Sequence, residues 1–252
     1  MTDAATMAYI NMFGVLGALP VLCQTVPEAR EALRLNNPIS LCLCVRDGPA
    51  ATFTFTDGAC EMLAGERKSD IRIPFSSPEK FNGMINGAVT PIPSHGFTKI
   101  KFLTGPFIKL TDILSRYLRP SPEALGDPDF FRTSTALMLQ VIGGAAAQIG
   151  NHDKIGSFSA SNMADGIIWL SIKDGPCVSV RVKEHVLSAE PGRAEPARAV
   201  MEFADFETAR GLFDGRVNAM DCIGRQQITM RGMISMLDNL NRILDRVAVY
   251  LA

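Results

Sequence analysis

Six cysteines, three histidines and a group of methionines near the C-terminus are the side chains whose types could carry chemistry in this 252-residue chain. The cysteines stand at 23, 42, 44, 60, 177 and 222, with no CxxC pair and no histidine at zinc-ligand spacing. Cys42 and Cys44 are two apart, so on a strand they share a face. With no neighbouring cation identifiable, they read as inert packing rather than as reactive thiolates. Unpaired spacing of this kind suits a reducing, cytoplasmic compartment. His95 lies in a Pro/Gly-rich loop, His152 in a loop beside Asp153, and His185 beside Glu184 in a turn. None belongs to an HExxH motif, so all three read as surface-loop residues. There is no GxSxG elbow and no P-loop. Gly14, Gly17 and Gly143-Gly144 lie within apolar helical segments, where close packing explains them better than phosphate binding. The expectation is a chain without catalytic residues, metal or cofactor, and not an enzyme.

The methionines are less easily dismissed. Met220, Met230, Met233 and Met236 converge on the last strand and helix, where Met either fills core gaps or lines a cavity for a flexible apolar ligand. Phe203, Phe206, Leu212, Phe213 and Val217 face the same choice. Trp169, the one tryptophan, reads as core. The composition is 47% hydrophobic and 20% charged, and 25 Lys+Arg against 26 Asp+Glu leave a net charge of −1. That balance excludes a generic nucleic-acid binder, which needs a basic surface. No charged residue occurs from Ala4 to Pro27, and Asp3 rather than Lys or Arg precedes that stretch. Asn11, Gly14, Gly17, Pro20 and Gln24 interrupt it, so it reads as a buried helix rather than a signal peptide or membrane span. Thr133–His152 is a second uncharged run, read in the same way, with packing between copies or against a partner as the alternative for both.

The elements that would position these residues occur twice. Asp47-Gly48-Pro49 recurs as Asp174-Gly175-Pro176, each after an apolar run. Phe75, Glu79, Gly83, Gly87 and Val89 recur as Phe203, Glu207, Gly211, Gly215 and Val217. Gly96-x-x-x-Ile100-x-Phe102-x-x-Gly105 then aligns with Gly224-x-x-x-Ile228-x-Met230-x-Gly232, and both copies end in an apolar helix. A tandem duplication follows. Residues 1–120 form repeat 1, the proline-rich stretch 121–129 is a linker, and 130–252 form repeat 2. Ile39–Val45 and Ala51–Thr56 alternate as strands of a hairpin, Ser77 and Asp205 start short helices, Arg225–Arg231 is a strand, and Met233–Tyr250 is an amphipathic helix. Hairpin strands with helices on one side make an α+β fold.

Residues 166–250 resemble the sterol carrier protein 2 (SCP-2) sterol-transfer domain. The pattern lies in the strand and DGP turn, Ala199-Val-Met-Glu-Phe203, Leu212-Phe-Asp-Gly-Arg-Val-Asn218, Ile223-Gly224, the Gln227–Gly232 strand and the final helix. Through the repeat the likeness extends to copy one, except at Pro91-Ile-Pro-Ser-His-Gly96. The resemblance implies two tandem domains, each a mostly antiparallel five-stranded sheet covered by helices around an apolar tunnel. It implies binding and transfer of a fatty acid, acyl-CoA, phospholipid or sterol, without catalysis. Lining positions would be those five residues from Phe203 to Val217, the four methionines, and Ile223, Ile228, Leu237 and Leu240. A second cavity in the more divergent first copy would use Phe75, Phe81, Met84, Ile85, Val89, Phe97, Ile100, Phe102, Phe107 and Leu110. Transient contact with a membrane surface or an enzyme fits such a carrier. The alternative is a non-catalytic interaction scaffold, or an accessory protein of a lipid- or steroid-metabolising enzyme, with both cavities filled.

Overall fold

Asp3 opens the first helical run by accepting the Thr6 N–H at 2.9 Å, which satisfies a donor that the helix itself leaves unpaired. In the computed structural model, which describes residues 2–251, the run is α1 (Ala4–Tyr9), a π turn over Ile10–Val15, a 3-10 turn over Leu16–Ala18, and α2 (Leu19–Thr25). Pro20 sits in the first turn of α2, where its missing N–H costs nothing. By length and composition the run could cross a membrane, yet 61% of its apolar window is buried in the protein. Ala8, Ile10, Met12, Leu19 and Leu22 are wholly enclosed. Asn11 donates to the Asn82 side-chain carbonyl at 3.0 Å, and Asn82 donates to the Ala4 carbonyl at 2.9 Å. The buried amide is thereby satisfied.

After α3 (Pro27–Ala32) come β1 (Ile39–Val45), β2 (Ala50–Thr56), β3 (Ala59–Ala64) and β4 (Ile71–Phe75), in sheet order β3-β2-β1-β4. Strand β4 pairs parallel to β1; the other pairs are antiparallel. Then follow α4 (Pro78–Ile85), α5 (Ile100–Phe102), a π turn over Leu103–Phe107 and α6 (Ile108–Leu118). The second set begins with α7 (Pro128–His152) and α8 (Lys154–Ser161). It continues with β5 (Gly166–Ile172), β6 (Cys177–Lys183), β7 (Val186–Pro191) and β8 (Ala197–Phe203). The last elements are α9 (Phe206–Phe213), α10 (Ala219–Gly224), β9 (Ile228–Gly232) and α11 (Ile234–Leu251), and the sheet order is β7-β6-β5-β8-β9. The protein is α+β, with two mixed sheets. Two compact units, residues 3–133 and 134–251, divide within α7.

Each unit repeats the same local solutions. Asp47 and Asp174 both turn their hairpins at φ 54°. Gly87 and Gly215 end α4 and α9 at φ 74° and 66°, and Val89 and Val217 then fold back over Gly83 and Gly211. A Cβ on Gly83 would lie 2.8 Å from Val89, and one on Gly211 3.3 Å from Val217. In α7, a Cβ on Gly143 would stand 2.4 Å from the Val178 methyl, so the glycine permits close helix–sheet approach.

Three sequence expectations are corrected. The first sheet has four strands among the described residues, not five. Ile100 and Phe102, aligned with strand residues Ile228 and Met230, are helical instead. The counterpart of Gly232 is Gly96, not Gly105. Gly96 has φ 89° and its Cβ would meet the Asp70 carbonyl at 2.2 Å; Gly232 has φ 90° and would meet the Arg198 carbonyl at 2.2 Å. Copy one is thus shorter here, and its fifth strand shrinks to a single bridge between Arg72 and His95. Pro91 and Pro93 have no N–H to give a ladder or a helix interior, which accounts for the loss of α10 and β9 counterparts. The 121–129 linker contains a 3-10 turn at Ala124–Gly126 and the start of α7, which carries on to include His152.

In unit two, a buried polar clamp ties α11 to α8. Asp153 caps α8 through the Ile155 and Gly156 N–H groups, and its other oxygen accepts from Arg246 at 3.0 Å and Tyr250 at 2.9 Å. Burial disfavours the Asp153 carboxylate, but the hydrogen bonds from Arg246, Gly156 and Tyr250 outweigh it and hold its pKa below the usual range. Such a group stabilises the fold above the ordinary carboxylate pKa, and that contribution is lost as pH falls through the lowered value. Asp153→Ala is therefore expected to cost about 3 kcal/mol at neutral pH, with the gap to wild type narrowing below about pH 4 in urea melts. Gly232→Ala combines a left-handed backbone with a backbone clash, and should cost about 2 kcal/mol or more by the same measurement.

Candidate functional site

The apolar positions of unit two fall into three groups around α9, α10, β9 and α11. Phe203, Ile228, Met236, Leu237 and Leu240 are core, at most 4% exposed. Phe203 lies opposite Ile228 in the β8/β9 register and meets the Phe213 ring edge-on at 5.7 Å. Phe206, Leu212, Phe213, Ile223, Met230 and Met233 are half-buried. Val217 and Met220 reach solvent, at 41% and 74% exposed, as does Ile234 at 62%, which sequence reasoning did not single out. Asp205 starts α9 by accepting the Thr208 N–H at 2.7 Å, and Asn218 starts α10 by accepting from Met220 at 2.8 Å. These caps fix the two short helices that carry Phe206, Leu212, Phe213 and Ile223. Arg210, 3% exposed, anchors α9 through Asp214 at 2.8 Å and the Ser134 hydroxyl at 2.8 Å.

In unit one, Phe75, Phe81, Phe102 and Leu110 are buried, while Met84, Ile85, Val89 and Phe107 are half-buried. The Phe55 ring lies 5.1 Å from Phe102 and 5.9 Å from Phe107, and Phe75 lies 5.1 Å from Phe81. Phe97 and Ile100 are exposed at 60% and 43%, joined by Ile92 and Ile108, which the sequence pattern did not flag. Both units therefore leave apolar side chains uncovered in the segment between the short helix after the sheet and the final helix. A polar surface depression elsewhere in unit one is bounded by Arg30, Glu31, Arg34 and Asp57.

The opposite face of each sheet differs between the units. Cys42 and Cys44 do share a face of β1, as their spacing requires, and both are buried. Cys42 sits beside Thr52 on β2 and Arg72 on β4. Thr52 donates to the Gly65 carbonyl and accepts the Arg67 N–H, both at 3.0 Å, folding the 65–70 loop over the cysteines. That loop brings Glu66 to the thiols, and Arg72 grips the Glu66 carboxylate at 3.1 Å. Burial first, and Glu66 second, push the Cys44 thiol up to about 12. In unit two Trp169 takes the place of Cys42, beside Ser179 and Val200. It is half-buried on this outer face rather than in the core, because Ile168 and Leu170 take the inner one. Its indole donates to the Ala194 carbonyl at 2.7 Å and Arg193 lies over its ring.

His95 and His185 lie exposed as expected, His185 in a hairpin turn with φ 66°. The division into packed and uncovered apolar residues has a direct test. Met236→Ala should cost about 2–4 kcal/mol, whereas Met220→Ser should change stability by less than about 0.5 kcal/mol, in paired denaturation curves.

No protein-family model matches the chain, and no curated protein matches it. Among solved structures, it is similar to a double mutant of the sec-alkylsulfatase PisA1, at 11% identity and a TM-score of 0.28, over 57% of this chain and 28% of that one. It is also similar to the stereoselective inverting sec-alkylsulfatase Pisa1 from Pseudomonas sp., at 10% identity and a TM-score of 0.25, with the same coverage. The match thus takes in less than a third of the sulfatase's length.

Proposed function

We propose that the protein binds and transfers an apolar, lipid-like molecule without chemical conversion, and that unit two is the working half. The observation that carries this reading is the graded exposure of the apolar residues from Phe203 to Leu240: Phe206, Leu212, Phe213, Ile223, Met230 and Met233 are half-buried, Phe203, Ile228 and Met236 are closed core, and Met220 and Ile234 are uncovered. Apolar side chains in this graded arrangement let a chain-like ligand leave water by parting flexible methionines and short helices. Each buried CH₂ is worth about 0.8 kcal/mol, so a ten-carbon chain gains several kcal/mol before the entropic costs of binding. No specific polar contact is required, which suits a fatty acid, acyl-CoA, phospholipid or sterol alike. The resemblance to the sterol carrier protein 2 domain supports the same reading, as does the near-zero net charge.

A second reading is favoured by one observation: Ile228, Met236, Leu237 and Leu240 are packed at 0–4% exposure, as they would be if the cavity had filled with side chains. The protein would then be an interaction scaffold or an accessory to a lipid- or steroid-metabolising enzyme. Native mass spectrometry before and after organic extraction separates the two. The carrier is expected to show co-purifying lipid and displacement of a fluorescent fatty acid, weakened about tenfold by Met233→Trp, which fills space beside the ligand. Absence of both bound lipid and displacement would leave the scaffold reading.

A further inference from the structure

Cys42, Cys44 and Glu66 bring two sulfurs and a carboxylate oxygen within 4.8 Å of one another. We infer that they form a site for one borderline-soft divalent metal ion of the zinc type, on the outer face of the first sheet. Strand geometry supplies the two sulfurs: residues two apart on β1 project to the same side, about 6.6 Å apart at Cα. A tetrahedral ion with Zn–S bonds near 2.3 Å needs its sulfurs about 3.8 Å apart, which side-chain rotation provides. Both cysteines are buried, at 1% and 5% exposed, while Glu66 lies at the solvent edge on an exposed loop. The ion therefore enters past Glu66, and its fourth position opens to water.

The charges balance. On binding, each thiol releases its proton to solvent, giving two thiolates and one carboxylate around a dication. The remaining negative charge is met by Arg72, already hydrogen-bonded to Glu66 at 3.1 Å and placed to orient it. Thiolate ligands select this class of ion over magnesium or calcium, which prefer all-oxygen sites. The second unit serves as an internal contrast. At the same register it holds Trp169, with Arg193 over the ring, and offers no such donor set.

The experiment titrates the reduced full-length protein with Co²⁺ and follows thiolate-to-cobalt charge-transfer absorption, with Zn²⁺ as competitor. Wild type is expected to take up one equivalent with that band, and Zn²⁺ to displace it. C42S and C44S should abolish the band, while C177S and C222S leave it intact. Because a buried serine can impair folding, E66Q on the exposed loop provides an independent arm: it should weaken binding about tenfold or more with an unchanged far-UV spectrum. Absence of the band in wild type at saturating metal overturns the site. So does a band that survives C42S and C44S, or an E66Q affinity equal to wild type.

Discussion

Successive side chains of a strand leave on opposite faces, and in both units the consequences of that rule on the central strand govern what the rest of the molecule can do. Leu41, Leu43 and Val45 of β1, and Ile168, Leu170 and Ile172 of β5, commit one face to the hydrophobic core. The remaining positions are forced outward, and there the two copies have diverged. One holds thiols beside the Glu66 carboxylate; the other holds an indole under an arginine. The inner face cannot vary so freely, because its neighbours on both sides and the helices above it fix volume and shape.

Several of the residues shared by the two copies solve a backbone problem. Gly87 and Gly215 end a helix in the left-handed region, and Gly83 and Gly211 leave room for Val89 and Val217 to fold back. That is why identical residues occur at these places while most of the surrounding apolar side chains have been exchanged for others of similar size. Gly96 and Gly232 meet an even tighter demand, the carbonyl of the neighbouring strand, yet simple alignment pairs Gly96 with Gly224. The local sequence looks alike in the wrong register because Ile100 and Phe102, though helical, share the two-residue spacing of the strand residues Ile228 and Met230. Only the contact with Asp70, remote in sequence, distinguishes them.

Much of the fold was therefore readable in advance: alternation marked β1 and β2, an apolar run before the repeated turn marked β5, turn chemistry marked the hairpins, and capping residues such as Asp205 marked helix starts. What was not readable depends on long-range approach. Asp153 meets Arg246 and Tyr250 over more than ninety residues of chain, and Glu66 reaches Cys44 only because Thr52 folds the loop. Of the candidate lipid-facing residues, the pattern identified apolar character correctly but not depth. Met220 and Met236 look equivalent in composition, yet one stands in solvent and the other is sealed. Helical phase decides between them, and phase depends on where α10 and α11 begin.

The helical run from Ala4 to Thr25 carries a consequence of its own. The same side chains that make it apolar enough for a bilayer, Ile10, Met12, Leu19 and Leu22 among them, are part of the first unit's interior, and Asn11 is bonded to Asn82 there. Insertion into lipid and completion of that interior are mutually exclusive uses of one segment. A chain that placed these residues in a membrane would forfeit the folded first unit described above.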